Sequence, residues 1–332
     1  MNLENVSTRD HRIPRASFPC RIIPNMVRKN LKVMCVGEVL WDSLPGGLFL
    51  GGAPFNVAYH LHALSVDALL ATCVGDDVLG RIVCQRTREK GLSTDLFQIE
   101  TTLPTGLVHV LLDAAGNASY EIVAPAAWDC IRMTPAIEEV SAAAGAIVFG
   151  SLAQRGAVSR VTIQQLLERD CLKVFDVNLR PPHGDRAIIE YGLERAEVVK
   201  LNDQEFARLA GWFSLPEALE KGAAALAARF SVETICVTRG SRGAVLWNRG
   251  NFTAHPGFTV QVRDTVGSGD AFLASLVDGL MNNLPDERIL SSANALGAFV
   301  ATREGPTPPV DRDAVRRIES MQTNGVIEGT NG

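Results

Sequence analysis

From Leu31 onward the chain alternates short apolar runs, rich in β-branched residues, with segments whose apolar positions recur every three or four residues. The runs are LKVMCVGEVL (31–40), ALLATCVG (68–75), AIVFG (146–150), KVFDVN (173–178), EVVKLN (197–202) and TICVTRG (234–240). Each has the length and composition of a strand. The stretches between them, such as PFNVAYHLHAL, VSRVTIQQLLER and PEALEKGAAALAARF, carry the period of helices with one buried face. Strand and helix in turn predict an α/β fold, with a central, mostly parallel sheet and helices on both faces. In such sheets ligands sit outside the carboxyl ends of the strands, which is where these runs deliver Asp42, Ser151, Asn178, Arg180, Asn202 and Arg239.

One stretch breaks the rhythm. Residues 105–122, TGLVHVLLDAAGNASYEI, read as two strands around a Gly-Asn turn with no helix between them, a hairpin standing off the main sheet. It is either a lid or an ordinary antiparallel edge. Residues 44–50 are expected to join 103–123 in the lid. Residues 1–30 carry six basic residues and three prolines against Glu4 and Asp10, and are expected to lie outside the catalytic fold. The domain is expected to span 31–315, followed by a fraying tail over 316–332.

A chain of 332 residues, 46% hydrophobic, can bury a large core. The net charge of −5 gives no basic face for nucleic acid, and no apolar stretch reaches the roughly 18 residues that would span a bilayer. Seven cysteines without a CxxC pair, several inside apolar runs, read as reduced core residues of a cytoplasmic protein. These features point to a small-molecule partner.

The chemistry concentrates at DTVGSGD (264–270), which runs into AFLASLVDGLMNNL (271–284). Phe272, Leu273, Leu276, Val277, Leu280, Met281 and Leu284 mark one buried helix face, so Gly267, Ser268, Gly269 and Asp270 lie at a helix N-terminus. Free N–H groups and the helix dipole make that position an anion site, and the glycines allow close approach. A carboxylate beside a bound phosphate is repelled unless a metal or a proton transfer accounts for it. The alternative is that Asp270 caps its own helix.

The familiar glycine fingerprints fail. No Gly-Lys pair occurs, so there is no P-loop, and GSGDAF places Phe272 where a dinucleotide fold needs a small residue. HExxH and GxSxG are absent, and His60 and His62 read as packing or surface residues. DTVGSGD instead resembles the DTxGxGD signature of the ribokinase-like (PfkB) carbohydrate kinases, and GGAPFNVAYHLHAL (51–64) resembles that family's N-terminal Gly-Gly signature. The resemblance covers about 31–313. GEVLWDSLPGG, GSLAQR and DVNLRPP look most like bacterial fructokinases.

The resemblance implies that Asp270 is the base facing the sugar hydroxyl, and that Gly267, Ser268 and Gly269 form the anion hole for the transferring phosphoryl group. Asp42, Gly51, Gly52 and Asn56 then contact the sugar, and Arg180 lies near substrate or phosphates, where its other reading is a surface ion-pair partner. Thr238, Gly240 and Gly243 fall at ATP, although the two glycines also suit a plain hairpin turn. Asn294 lies where the family packs adenine. Asn202 and Glu205 match the NxxE motif that orders magnesium through waters, while their spacing equally suits a capping box. Asp264 and its loop could form a potassium site, and a homodimer could form through the lid. Fructose at its 6-hydroxyl is the expected substrate. A nucleoside, a 2-keto sugar acid, or a silent sugar- or nucleotide-binding role is the alternative. A helix N-terminus is also expected to keep Asp270 ionised, which makes it a weak base.

Overall fold

The computed structural model describes residues 32–44, 47–112 and 118–321. The expected extension over 1–30 and the Gly116–Asn117 turn of the hairpin lie outside the described residues.

The chain runs β1 (Lys32–Val36), β2 (Leu40–Leu44), β3 (Gly47–Gly51), α1 (Ala53–Ala63), β4 (Ala68–Gly75), α2 (Val78–Glu89), β5 (Phe97–Glu100), β6 (Gly106–Leu112) and β7 (Ala118–Ile122). It continues through α3 (Pro135–Ala143), β8 (Ala144–Gly150), α4 (Ala157–Leu166), β9 (Leu172–Asp176), α5 (Arg186–Arg195), β10 (Val198–Asn202), α6 (Asp203–Phe213) and α7 (Leu219–Phe230). Strands β11 (Thr234–Thr238), β12 (Ala244–Asn248) and β13 (Asn251–His255) lead to α8 (Ser268–Met281), α9 (Asp286–Ala301) and α10 (Arg312–Glu319).

Nine strands form one sheet in the order β13-β12-β11-β10-β9-β8-β1-β4-β5. From β5 to β11 every neighbour is parallel, and β12 and β13 add an antiparallel edge. Strand side chains alternate between faces, and here both faces are buried. Met34 and Val36 of β1 enter one core with α3 to α7, while Val33 and Cys35 enter a second core with α1, α2 and α8. The same division recurs in β11, with Ile235 and Val237 on one side and Cys236 on the other. The near-continuous apolar runs in the sequence are the signature of this two-sided burial. From β1 the chain moves outward to β4 and β5, then returns to the other side of β1 with β8. That reversal opens a crevice at the carboxyl ends of the strands.

A second sheet, β3-β2-β6-β7, pairs the hairpin β6–β7 with β2 and β3. The run 31–40, read from the sequence as one strand, is therefore two strands in different sheets. The break is at Gly37, whose φ of 147° is one that side chains avoid and where an added Cβ would lie 2.7 Å from Pro54 Cγ. The C-terminal boundary also moves. Helix α10 continues to Glu319 because Ile318 is buried against α9, so the fold extends beyond 315.

Candidate active site

Helix α8 starts as the glycine pattern predicts. Gly267 occupies the position before the first turn with φ 76°, and a Cβ there would sit 2.6 Å from the Pro306 Cα, so backbone packs on backbone. No side chain caps this helix. Asp270 does not cap it either: Asn56 Nδ2, on α1, donates to Asp270 Oδ2 at 2.8 Å. The carboxylate is thus held across the cleft by a residue far away in sequence, and the self-capping alternative falls. Asn56, expected at the sugar, is buried and spends its amide nitrogen on orienting Asp270, leaving its Oδ1 unpartnered among the described residues. Ser268 Oγ, beside the same loop, is likewise buried without a partner. Orphaned polar atoms on both sides of Asp270 suit a polar guest that supplies a donor to one and an acceptor or donor to the other.

Burial raises the Asp270 pKa, and Lys200, the Asn56 hydrogen bond and Arg180 only partly offset it. Enclosure thus raises the proton affinity of Asp270, where the helix end alone implied a weak base. Asp42, expected beyond the carboxyl end of the first run, lies within β2. Burial pushes its pKa up to about 6, relieved by Arg180 and reinforced by Asp270 and Asp264. Gly51 and Gly52 carry the chain from β3 into α1, which brings Asp42 and Asn56 to the same end of the crevice. Arg180 is exposed, and among the described residues its guanidinium bonds only the Leu179 carbonyl, at 3.2 Å. It nonetheless acts electrostatically on Glu38, Asp42, Asp176 and Asp270, which places its charge over the cleft and not in a surface ion pair.

Asn202 and Glu205 form a reciprocal capping box at the start of α6: each side chain accepts the other's backbone N–H at 2.8 Å. Glu205 Oε1 also accepts the Leu179 N–H at 2.8 Å. Both carboxylate oxygens are engaged, each with a second lone pair left for water, so the pair fits an outer-shell contact to magnesium better than direct ligation. Among the described residues no cluster of three His, Cys, Asp or Glu side chains could hold a metal directly.

On the other flank, Thr238 ends β11, and Gly240 and Gly243 make the turn into antiparallel β12, so the hairpin reading holds there. Asn294 is buried on α9, its Nδ2 donating to the Leu290 carbonyl at 2.7 Å. One turn further along, a Cβ added at Gly297 would lie 3.1 Å from the Ser268 carbonyl oxygen. Asp264 ties the loop before α8 to the segment after α9, its two oxygens accepting the Val266 and Gly305 N–H groups, each at 3.0 Å. His60 is buried, with its pKa lowered to about 4 by burial, and donates from Nε2 to the Pro306 carbonyl at 2.9 Å, whereas His62 is exposed.

Three groups escaped the sequence pattern. Glu38 is buried, with Oε2 unpartnered and its pKa pushed up to about 7 by that burial. Lys200 and Asp176 form a buried ion pair beside the glycine loop. The available signal was a charged residue inside an apolar run, VGEVL, VVKLN and VFDVN, where charge needs a buried partner or a use.

A buried carboxylate beside a helix N-terminus, at the switch point of a doubly wound sheet, is an arrangement suited to transfer of a phosphoryl group to a hydroxyl. The model of the pfkB family of carbohydrate kinases matches residues 46–313, and the chain belongs to that family of sugar kinases. It is 29% identical to a fructokinase from Klebsiella pneumoniae over 298 residues, covering 83% of this chain and 95% of that one. It is 30% identical to an ATP-dependent ribose-1-phosphate kinase from Halopiger xanaduensis over 274 residues, covering 80% and 84%. A fructokinase from Xylella fastidiosa solved with bound ATP superimposes with a TM-score of 0.76 at 24% identity, over 88% of this chain and 98% of that one.

Proposed function

We propose that this kinase transfers the γ-phosphoryl group of ATP to the 6-hydroxyl of fructose. The observation that carries the reading is the charge on the sugar side of the site: Asp42 is flanked by the carboxylates of Asp270 and Asp264, against the guanidinium of Arg180, while the Lys200 ammonium lies beneath the glycine loop. Fixed acceptors suit the hydroxyls of a neutral polyol, whereas a sugar acid would meet like charge. Asp270, aimed by Asn56, accepts the proton of the attacking hydroxyl. Gly267, Ser268 and Gly269 stabilise the charge that gathers on the transferring group, and Asp42 with Gly51 and Gly52 lines the sugar side. Arg180 binds phosphate oxygens. Thr238, Gly240 and Gly243 border the ATP phosphates, and adenine lies against α9 near Asn294. Magnesium, held through waters at Asn202 and Glu205, supplies charge neutralisation on the phosphates when bound. Asp264 and its loop are the place for a potassium ion. The second sheet acts as a lid over the sugar and as the face of a homodimer. Six described cysteines are free thiols, which fits the cytoplasmic setting included in this reading.

ADP release measured across fructose, ribose, ribose 1-phosphate, a nucleoside and 2-keto-3-deoxygluconate tests the substrate. Fructose is expected to give the highest kcat/KM. Turnover of the sugar acid above that of fructose would overturn the charge argument, and no release with any sugar would leave a silent binding protein. A pentose or its phosphate is the nearest competitor, because the ribose-1-phosphate kinase relative is as similar as the fructokinases.

The metal assignment has its own test. Asn202→Ala and Glu205→Ala are expected to raise the magnesium concentration needed for half-maximal rate more than they raise the KM for sugar. Each also loses a cap, about 1 kcal/mol of stability. A fall in stability with an unchanged magnesium titration would leave the capping box as their whole role.

A further inference from the structure

Lys200 and Asp176 are register partners on the adjacent parallel strands β10 and β9, so their side chains leave the same face of the sheet. Lys200 Nζ contacts both carboxylate oxygens of Asp176, at 3.1 and 3.2 Å, and both residues are buried. A charged pair in the interior needs a reason, since apolar residues of similar volume fill such a space at least as stably. The surroundings supply one. An atom placed at the Cβ position of Gly269 would lie 3.4 Å from Lys200 Nζ, with no atom of Asp176 among the nearest neighbours. The pair therefore presents its positive end to the glycine loop, with the Asp176 carboxylate farther from Gly269. Besides Asp176, the ammonium is faced by Glu205 at the start of α6 and by Asp270 on α8. Burial works against the Lys200 ammonium, but these three carboxylates outweigh it and hold its pKa above the ordinary lysine value.

We propose that Lys200 is a positioning residue for phosphoryl transfer: its fixed positive charge beneath Gly269 strengthens the anion loop, and Asp176 holds the ammonium there. The inference rests on the kinase reading. Lys200 has no need to touch substrate. It acts through the short distance to the loop, in a site where water cannot screen it.

Two substitutions break the same ion pair and separate a structural role from an electrostatic one. Lys200→Met removes the positive charge, while Asp176→Asn keeps one oxygen to hold the ammonium and removes the charge that compensates it. Binding of inorganic phosphate, followed by titration calorimetry, should weaken roughly tenfold or more in the first variant and tighten in the second, since only the first removes charge stabilisation from the loop. In ATP-dependent turnover Lys200→Met should lose kcat by about 10- to 100-fold with the KM values for ATP and sugar nearly unchanged, the mark of an interaction made mainly in the transition state. Equal weakening of phosphate binding in both variants, or none in Lys200→Met, would overturn the proposal, as would a parent that binds no phosphate at all. If a single variant fails to fold, the paired change Asp176→Leu with Lys200→Met fills the space without charge. It should show the same loss of phosphate binding and kcat, and parent-like values there overturn the idea. A parent with phosphate binding but no sugar-dependent ADP release refutes the kinase reading while still deciding the role of Lys200.

Discussion

Asp270→Asn is expected to reduce kcat by about 10²- to 10⁴-fold, the range for loss of a general base, with the fold intact. The substitution keeps the side-chain shape, and helix α8 has no side-chain cap to lose, so the change falls on proton acceptance. Stability should hold or rise, because burial raises the pKa of this carboxylate and its anionic form is the strained one. The pH dependence follows with a definite sign. A base works only when deprotonated, so the parent's kcat/KM should fall as pH drops through the raised Asp270 pKa. That limb should lie above the ordinary aspartate value of about 4. Steady-state kinetics with fructose and ATP over a pH series, beside a thermal melt, checks both parts. A variant that keeps more than about a tenth of parental turnover would sink the assignment, since a general base contributes at least that factor.

Glu38→Gln is expected to stabilise the protein at alkaline pH and to do little at acid pH. The folded state raises the Glu38 pKa from 4.5 to about 7, chiefly by burial, so it holds a proton that the unfolded chain gives up. The stability from that proton is fully present below the unfolded value and is lost as pH rises through about 7. At about 1.4 kcal/mol for each tenfold change in proton affinity, the loss approaches roughly 3 kcal/mol at pH 8 and stays under about 1 kcal/mol at pH 5. Gln presents the neutral shape at every pH. Glu38 Oε2 has no partner among the described residues, so an uncharged group suits the place better than an anion. Urea unfolding of parent and variant at the two pH values measures the difference. An equal effect at both, or a destabilisation that grows with pH, would show that Glu38 is ionised and paired in the folded state.

The two results bear on each other. Asp270 raises the proton affinity of Glu38 and of Asp42, and Arg180 lowers that of all three. In Asp270→Asn the Glu38 pKa should therefore move downward, because one repelling neighbour of Glu38 has gone.

By itself the sequence determined the alternation of strand and helix, the two-sided burial of the sheet and the start of α8, and it singled out Asp270 as the candidate chemical group. These are local properties: side-chain period, strand length, and the glycines that a tight helix entry requires. Even the capping box at Asn202 and Glu205 was legible, since both partners lie within four residues. Tertiary structure decided the rest. Gly37 sends β2 away from β1 because Pro54 fills the space a side chain would need, and this put Asp42 in the second sheet. Asn56 and Asp270 meet across 214 residues of chain, so no spacing rule could join them. Lys200 and Asp176 are each one odd charge in an apolar run until the parallel register sets them side by side. Nor could the raised pKa of Asp270 be read from its helix end, because proton affinity depends on how completely the folded chain excludes water, and enclosure is made by every element at once.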